Sequence, residues 1–118
     1  VWGDPFRIQE VLTNYLSNAM HYVETNSFYD QKTIRVSIDA INGKKAVSVF
    51  NSGKKIPEES INRIWDKFYK VDKARTREYG GSGIGLSIVK AIMESMHQEY
   101  GVLNLAEGVE FFFTVESA

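Results

Sequence analysis

Apolar residues recur at steps of three and four near the start of the chain. The positions are Ile8, Leu12, Tyr15, Leu16, Ala19 and Val23. Asp4 and Pro5 come directly before them, and these residue types favour the N-cap and the first position of a helix. The pattern predicts a helix from about Pro5 to Tyr22.

The next segment alternates between apolar and polar residues with a period of two. From Thr33 to Ala40 the aliphatic residues fall on one side and the polar residues on the other, which predicts a half-buried strand. Asn42-Gly43 is a strong hairpin signal, so the stretch from Lys45 to Phe50 is predicted to be the partner strand. Asn51-Ser52-Gly53 then ends that strand.

Two further helices and a second hairpin complete the predicted elements. Pro57 and two acidic residues favour a helix start, and the apolar stripe of that helix is Ile61, Ile64, Trp65 and Phe68. Residues 70–81 are polar and patternless, which indicates a loop. A wide apolar stripe predicts a third, sheet-covered helix from Gly83 to about His97. Strands are expected at 101–105 and 109–116, so the fold class is an α+β sandwich.

Composition narrows the possible function classes. The chain has 118 residues, of which 43% are hydrophobic and 25% charged, and these values are typical of one soluble globular domain. A net charge of -1 argues against a strongly basic nucleic-acid binder or a polybasic membrane-surface domain. The absence of cysteine excludes disulfides, thiol catalysis and cysteine-ligated zinc. No apolar run suggests a membrane span, so we expect a cytoplasmic location.

One face of the first helix carries an unusual polar stripe. Glu10, Asn14, Ser17 or Asn18, and His21 follow one another at steps of three and four. Asparagine costs about half a kcal/mol or more relative to alanine inside a helix, which favours a site over an ordinary surface. Amide oxygens are hard ligands that suit Mg2+ together with phosphate oxygens. A polar face that bonds neighbouring backbone is the alternative.

A glycine-rich turn precedes the third helix. The stretch 80–85 reads Gly-Gly-Ser-Gly-Ile-Gly, and its backbone amides together with the helix start can form an anion cradle. The spacing matches neither a Walker A motif nor a dinucleotide fingerprint, and a flexible hinge is the alternative. The preceding basic residues Lys70, Lys73, Arg75 and Arg77 suit a lid over phosphates, although such a charge run alone is usually solvated.

The end of the second strand is a third candidate. Asn51 can accept a hydrogen bond from an exocyclic amine and donate one to a ring nitrogen. Taken alone, it is better explained as an ordinary turn asparagine.

Four segments, taken in order, resemble one known family. They are GDPFRIQEVLTNYLSNAMHYV, VFNSGKKIPEE, RIWDKFYKVDKAR and GGSGIGLSIVKAI. They are similar to the N box, the first glycine box, the F box with its basic segment and the second glycine box of sensor histidine kinases. The chain thus resembles the catalytic ATP-binding domain of a two-component histidine kinase, within the superfamily of gyrase, heat-shock chaperone, histidine kinase and mismatch-repair ATPases.

The resemblance implies a fold and a ligand site. The implied fold is a Bergerat-type two-layer α/β sandwich, whose mixed, mostly antiparallel sheet is covered on one face by about three helices. The implied cofactors are ATP and Mg2+. Asn14 is implied as the metal ligand and as a catalytic residue, and Glu10 as the activating carboxylate. The remaining implied nucleotide-binding residues are Asn18, His21, Tyr22, Asn51, Gly53, Ile56, Phe68, Lys73, Arg75, Gly81, Ser82, Gly83, Ile84, Gly85 and Leu86.

The chain also departs from the family pattern. Asn51 replaces the usual aspartate, and a neutral hydrogen bond is worth about 1 kcal/mol against about 1.5–3 kcal/mol for a charged one. Lys55 replaces the second glycine of the first glycine box, and His21 replaces the commoner lysine. The upstream strand and helix and the dimerisation domain with the phosphoacceptor histidine are missing, so we expect a fragment of a longer kinase.

The resemblance implies transfer of the γ-phosphoryl group of ATP to a histidine of the parent kinase's dimerisation domain. A response regulator is then an indirect partner, and the parent is expected to be a membrane sensor. No nucleic acid and no membrane contact are expected for this chain. Two alternatives stay open. One is a degenerate nucleotide-binding module without phosphotransfer, and the other is a different ATPase of the superfamily or an anti-sigma serine kinase.

Overall fold

The structure is a computed structural model that describes residues 4–26, 32–67, 69 and 85–116. Its helices are α1 (Pro5–Asn26), α2 (Glu58–Ile61) and α3 (Gly85–Ser95). Its strands are β1 (Ile34–Ile41), β2 (Lys44–Ser52), β3 (Tyr100–Leu105) and β4 (Gly108–Glu116). None of the helices within these ranges has both the length and the apolar character that a membrane span requires.

The strands form one four-stranded sheet in the order β1-β2-β4-β3. All three pairings among the described strands are antiparallel, so the parallel part of the expected mixed sheet is not seen in them. The two central strands, β2 and β4, are nine residues long and pair along their whole length. The resulting α+β sandwich agrees with the predicted fold class.

Local chemistry sets two of the predicted boundaries. Asp4 accepts a hydrogen bond on Oδ1 from the Phe6 amide at 2.9 Å, which makes it the N-cap of α1. Asn42 and Gly43 both have positive φ, at 48° and 78°, as a two-residue type I′ turn requires. That turn places Ile41 opposite Lys44.

The core lies between α1, α3 and one face of the sheet. The register aligns Val49 on β2 with Phe111 on β4, and Phe111 with Val102 on β3. Tyr15 lies at the centre with no exposed surface, and its ring centroid is 5.3 Å from that of Phe111. The Tyr15 hydroxyl donates to the Phe112 carbonyl at 2.9 Å. Burial raises the Tyr15 pKa well above its usual range. This contact joins α1 to the sheet beside the polar stripe.

The prediction that the first strand is half-buried is wrong. All eight residues of β1 are exposed, although Ile34, Val36 and Ile38 lie on the helix-facing side of the sheet by register. These three side chains are 37%, 47% and 63% exposed. The reason is that α1 packs mainly against β2 and only slightly against β1, so the buried sheet positions lie mainly on β2 and β4. Alternation identifies a strand's apolar face but not the strand's place in a sheet.

Helix lengths also differ from the prediction. Helix α1 runs four residues beyond Tyr22, to Asn26. Helix α2 ends at Ile61, and turns follow it up to residue 67. Ile64 and Trp65 are nevertheless buried. The amides of Arg63 and Asp66 each bond the carbonyl three residues earlier, so successive tight turns produce the same apolar spacing as a helix.

Helix α3 ends two residues before the predicted end at His97. It begins at Gly85 within the described residues and ends at Ser95. His97 is exposed and has a φ of 56°, and the Gln98 amide bonds the Met93 carbonyl at 3.0 Å. This left-handed residue closes the helix in the manner of a Schellman motif. The left-handed backbone of His97 therefore ends the helix, whereas the apolar face continues to Met96, which packs against the core.

Candidate functional site

Asn14 lies in the middle of the polar stripe of α1 and is half-buried. Its Nδ2 donates to the Glu10 backbone carbonyl one turn earlier, at 3.0 Å. This bond fixes the orientation of the amide, because the donor end is engaged by the helix itself. Oδ1 is therefore the end that remains for a ligand. The bond also means that part of this face does contact neighbouring backbone, as the alternative interpretation expected.

The start of α3 approaches that same amide. A Cβ placed on Gly85 would lie 3.1 Å from Asn14 Oδ1, which is closer than side-chain carbons normally come. Glycine at this position therefore keeps the space beside Oδ1 open. The first turn of a helix also presents unpaired amides and partial positive charge. The fold thus brings an amide oxygen and a helix start together from segments 71 positions apart in the sequence (85 minus 14).

Asn51, near the C-terminal end of β2, has no exposed surface. Its Nδ2 reaches the Ser52 carbonyl only at 3.4 Å, and its Oδ1 has no hydrogen-bond partner within the described part of the chain. Buried side-chain acceptors are normally paired, and an unpaired one costs about 1–3 kcal/mol. The site therefore contains an acceptor that a ligand donor would satisfy.

Backbone packing holds Asn51 in place. Asn51 is paired with Ile34 on β1 and with Val109 on β4. A Cβ on Gly108 would lie only 2.0 Å from the Asn51 carbonyl oxygen, so the two backbones meet where only glycine fits. The Gly53 amide donates to the Glu107 carbonyl at 3.0 Å. These contacts fix the chain on both sides of the unpaired amide oxygen.

The segment after β2 is fixed to β3 by a residue that the sequence analysis did not identify. Asn104 accepts from the Ile56 amide on Oδ1 at 2.9 Å and donates from Nδ2 to the Ile56 carbonyl at 2.8 Å. Ile56 itself is buried. The only available signal was an asparagine on the helix-facing side of a strand, directly opposite Val109.

Tyr22 connects the other end of α1 to the same loop. Its hydroxyl donates to the Lys54 carbonyl, and its ring packs against the core cluster that contains Ile56. Burial raises the Tyr22 pKa to about 12, so the phenol is protonated at neutral pH. Tyr22 and Ile56 thus belong to the same core cluster, one from the end of α1 and the other from the loop after β2.

The other predicted residues divide into two groups. Within the described residues, Glu10 is exposed on α1, Asn18 and His21 are half-buried on the same helix, and Leu86 packs against the core. The remaining predicted residues lie outside the described part of the chain, and they are Phe68, Lys73, Arg75, Gly81, Ser82, Gly83 and Ile84. The structure therefore brings Asn14 to Gly85, and Tyr22 to the loop of Gly53 and Ile56.

The side-chain atoms that could act as ligands determine which cation this region could hold. No group of three or more histidine, cysteine, aspartate or glutamate residues that could hold a metal occurs among the described residues. Asn14 instead offers one neutral oxygen beside a helix start. Mg2+ commonly keeps several waters and is completed by substrate phosphates. A magnesium ion shared with a phosphate-bearing ligand therefore fits these residues.

The chain matches one known protein family over nearly its whole length. Residues 3–118 match the family described as histidine kinase-, DNA gyrase B- and HSP90-like ATPases. The chain is 38% identical over 115 residues to the probable sensor kinase SilS of Salmonella typhimurium and, over the same number, to the sensor histidine kinase CusS of Escherichia coli K12. Each alignment covers 98% of this chain, which spans 22% of SilS and 23% of CusS. The chain thus spans less than a quarter of these relatives.

Solved structures give the same match. The catalytic domain of the histidine kinase ThkA superimposes with a TM-score of 0.78 at 30% identity, covering 98% of this chain and 69% of that one. ThkA in complex with its response regulator TrrA gives 0.76 at 30% identity, covering 98% and 30%. Full-length ShkA in complex with AMPPNP gives 0.73 at 25% identity, covering 95% and 22%.

Proposed function

Because this chain belongs to the histidine kinase-, DNA gyrase B- and HSP90-like ATPase family, as the ATP-binding domain of a histidine kinase, we propose that it binds Mg-ATP between α1 and the start of α3. The approach of Gly85 to Asn14 Oδ1 carries this proposal. This approach brings together residues of two separate sequence motifs. If the polar stripe of α1 were an ordinary surface, there would be no reason for the two motifs to meet. The AMPPNP held by ShkA supports a nucleotide as the ligand.

The proposed reaction moves the γ-phosphoryl group of ATP to a histidine of the parent kinase's dimerisation domain. An imidazole nitrogen forms a bond to the γ-phosphorus, the bond to the β,γ-bridging oxygen breaks, and ADP leaves. Such transfers need mainly positioning and charge stabilisation. In this proposal Glu10, exposed on α1, orients the incoming imidazole or accepts its proton.

Asn14 would hold the magnesium ion through Oδ1, with phosphate oxygens and water completing the shell. When bound, Mg2+ neutralises charge on the β- and γ-phosphate oxygens. The Gly85 backbone and the start of α3 would face the phosphates. Asn18 and His21 follow Asn14 on the stripe, and we place them beside the nucleotide. Lys73, Arg75 and the glycines of 81–83 are proposed phosphate contacts on the resemblance alone.

At the other end of the site, buried groups would hold the base. Asn51 Oδ1 is an acceptor without a partner among the described residues, and we place the base between it and the apolar surface of Ile56 and Tyr22, which belong to the core cluster. Because the Asn51 backbone is fixed by two neighbouring strands, a base bound there would be held at a defined depth. That depth would set the distance of the γ-phosphate from Asn14.

The partners proposed for the parent protein follow from its relatives. The chain covers 22% of SilS and 23% of CusS, so we propose that it acts as one domain of a longer sensor kinase. The dimerisation domain carrying the phosphoacceptor histidine is then its direct partner. A response regulator is an indirect one, which the ThkA–TrrA complex supports.

Calorimetric titration with ADP, with and without Mg2+, tests the nucleotide site. We expect Mg2+-dependent binding that is lost in Asn14→Ala and retained in Thr13→Ala, since Thr13 is the exposed neighbouring residue on α1. Equal binding by Asn14→Ala and the unsubstituted protein would contradict the role of Asn14. No binding by the unsubstituted protein would contradict the proposed function.

A second candidate is a nucleotide-binding module that does not transfer phosphate. The neutral amide of Asn51 favours it, because a neutral acceptor holds an amine donor less strongly than a carboxylate does. Incubation with ATP and a supplied dimerisation domain separates the two. Phosphohistidine formation supports the kinase, whereas nucleotide binding without phosphohistidine supports the module.

A further inference from the structure

Asn51, which we place at the base-binding end of the proposed site, has a side-chain amide, and an amide has two different ends. Asn51 has no exposed surface, and its Oδ1 lacks a partner within the described residues. A carboxylate at this position could only accept hydrogen bonds, because it is ionised at neutral pH. An amide carries an acceptor and a donor at nearly the same place. The chemistry available to a ligand therefore depends on which end faces it.

The contacts around Asn51 fix its backbone but restrain its side-chain amide weakly. The strand pairings with Ile34 and Val109 and the close approach of Gly108 hold the main chain. Among the described residues the amide itself makes one hydrogen bond, from Nδ2 to the Ser52 carbonyl, and its length of 3.4 Å exceeds the usual range of about 2.7–3.2 Å. Rotating the amide by half a turn therefore sacrifices little.

The two orientations select different purines. With Nδ2 toward Ser52, Oδ1 is available and accepts from the 6-amino group of adenine. With the amide reversed, Nδ2 is available and donates to the 6-keto oxygen of hypoxanthine or guanine. A carboxylate has no donor in either orientation, and its negative charge would repel the partial negative charge of the keto oxygen.

We propose that Asn51 relaxes discrimination at the purine 6-position, so that this site accepts 6-oxopurine nucleotides as well as adenine nucleotides. This inference rests on the proposed nucleotide-binding function. Adenine stays the preferred base, because the reversed amide loses its bond to Ser52 and brings Oδ1 toward that carbonyl. The preference is small because Nδ2 and the Ser52 carbonyl are already 3.4 Å apart, so both the lost hydrogen bond and the new contact between two oxygens are weak.

Inosine diphosphate is the sharpest probe, because it differs from ADP only at position 6 and in the proton on ring nitrogen 1. The measurement is the ratio of the IDP and ADP dissociation constants, with Mg2+ present, by calorimetric titration. For the unsubstituted protein we expect a ratio of about five, the loss of one weak neutral hydrogen bond. A ratio above about twenty overturns the proposal.

Asn51→Asp supplies the comparison, since it removes the donor end and keeps the shape. We expect the ratio to rise at least about tenfold over that of the unsubstituted protein, because the keto oxygen then meets a buried acceptor. The matched control is Asn62→Asp, which makes the same change at an exposed position and should leave the ratio unchanged. A smaller rise in a folded Asn51→Asp variant overturns the proposal.

Asn51→Ala covers the case in which a buried carboxylate prevents folding. With both ends of the amide removed, ADP and IDP should each bind more weakly, and their ratio should fall to about one. Unchanged affinities would show that Asn51 does not contact the base. If ADP binds and the ratios disagree with these values, only the base inference fails. If ADP does not bind, the proposed function fails as well.

Discussion

Asn104 and Ile56 are joined by a pair of hydrogen bonds in which the side-chain amide of one binds both backbone groups of the other. Asn104 Oδ1 accepts from the Ile56 amide at 2.9 Å, and Nδ2 donates to the Ile56 carbonyl at 2.8 Å. Residue 104 lies on β3, at the edge of the sheet, and residue 56 lies in the loop that follows β2. The amide thus fixes the loop after β2 to β3, a strand that is not a neighbour of β2 in the sheet.

Replacing Asn104 with alanine should loosen this loop. Each net hydrogen bond contributes about 0.5–1.5 kcal/mol, so Asn104→Ala is expected to lower the free energy of unfolding by about 1–3 kcal/mol. Chemical denaturation measures this change, and Asn62→Ala, at an exposed site, is the control. ADP affinity should fall too, because Ile56 lies in the proposed base region. Equal denaturation midpoints for the two variants would contradict the structural role of Asn104.

Gly85→Ala is expected to raise the stability of the protein and to weaken its Mg2+-dependent binding of ADP. Gly85 lies at the start of α3 and lacks a positive φ, so alanine fits the backbone and adds up to about 1 kcal/mol of helix stability. Its Cβ would nevertheless come within 3.1 Å of Asn14 Oδ1, and Mg2+-dependent ADP binding should weaken at least about tenfold, or 1.4 kcal/mol. Thermal denaturation and calorimetry measure the two effects.

The reverse exchange on the same helix is the control. Ala91→Gly alters an exposed position of α3 and should lower the melting temperature while leaving ADP affinity unchanged. If Gly85→Ala binds ADP and Mg2+ as well as the unsubstituted protein does, then the space beside Asn14 Oδ1 is not used by the ligand.

Gly108→Ala should be among the most damaging single changes. The added Cβ would lie 2.0 Å from the Asn51 carbonyl oxygen and 2.9 Å from the Ser52 Cα, and neither backbone can move without breaking the pairing of β2 with β4. We expect a loss of at least about 3 kcal/mol in the free energy of unfolding. Gly43→Ala is the comparison, because its Cβ would contact nothing within 4 Å.

Gly43→Ala is also expected to lower the free energy of unfolding. Gly43 has a φ of 78°, and this left-handed conformation costs an alanine about 1–2 kcal/mol. Denaturation of both variants should therefore rank Gly108→Ala as the less stable. The opposite ranking would show that the two backbones are not held as close as the structure has them.

The raised pKa of Tyr22 predicts a loss of stability at high pH. Burial raises its pKa from 10.0 to about 12, so the folded state keeps a proton that the unfolded state releases first. Its contribution is therefore fully present below pH 10 and is lost as the pH rises from 10 to 12. Tyr22→Phe should remove this part of the decline in denaturation midpoint, while Tyr15 and Tyr100 continue to contribute because their pKa values are also raised.

Ultraviolet difference titration of tyrosinate gives the direct measurement for Tyr22. The unsubstituted protein minus Tyr22→Phe should show one phenol that ionises near pH 12. Ionisation of that phenol near pH 10 would contradict the burial of Tyr22 and its bond to the Lys54 carbonyl.

The sequence alone determined most of the element types and the chemistry of the candidate residues. Helical spacing identified α1, Asn42-Gly43 identified the first hairpin, and alternation identified β4. These features are local, because helix and strand periods and turn preferences depend on residues close together in the chain. For the same reason Asn14 and Gly85 stood out separately, each from its own motif.

Only the tertiary structure decided which of these local features meet. It placed Gly85 against Asn14, buried Asn51 with an Oδ1 that has no partner among the described residues, and used Asn104 to hold Ile56. It also left the apolar side of β1 exposed at the edge of the sheet. A period states which face of an element is apolar, but not which element will cover that face. Contacts between distant residues depend on how the elements pack, and packing is a property of the whole chain.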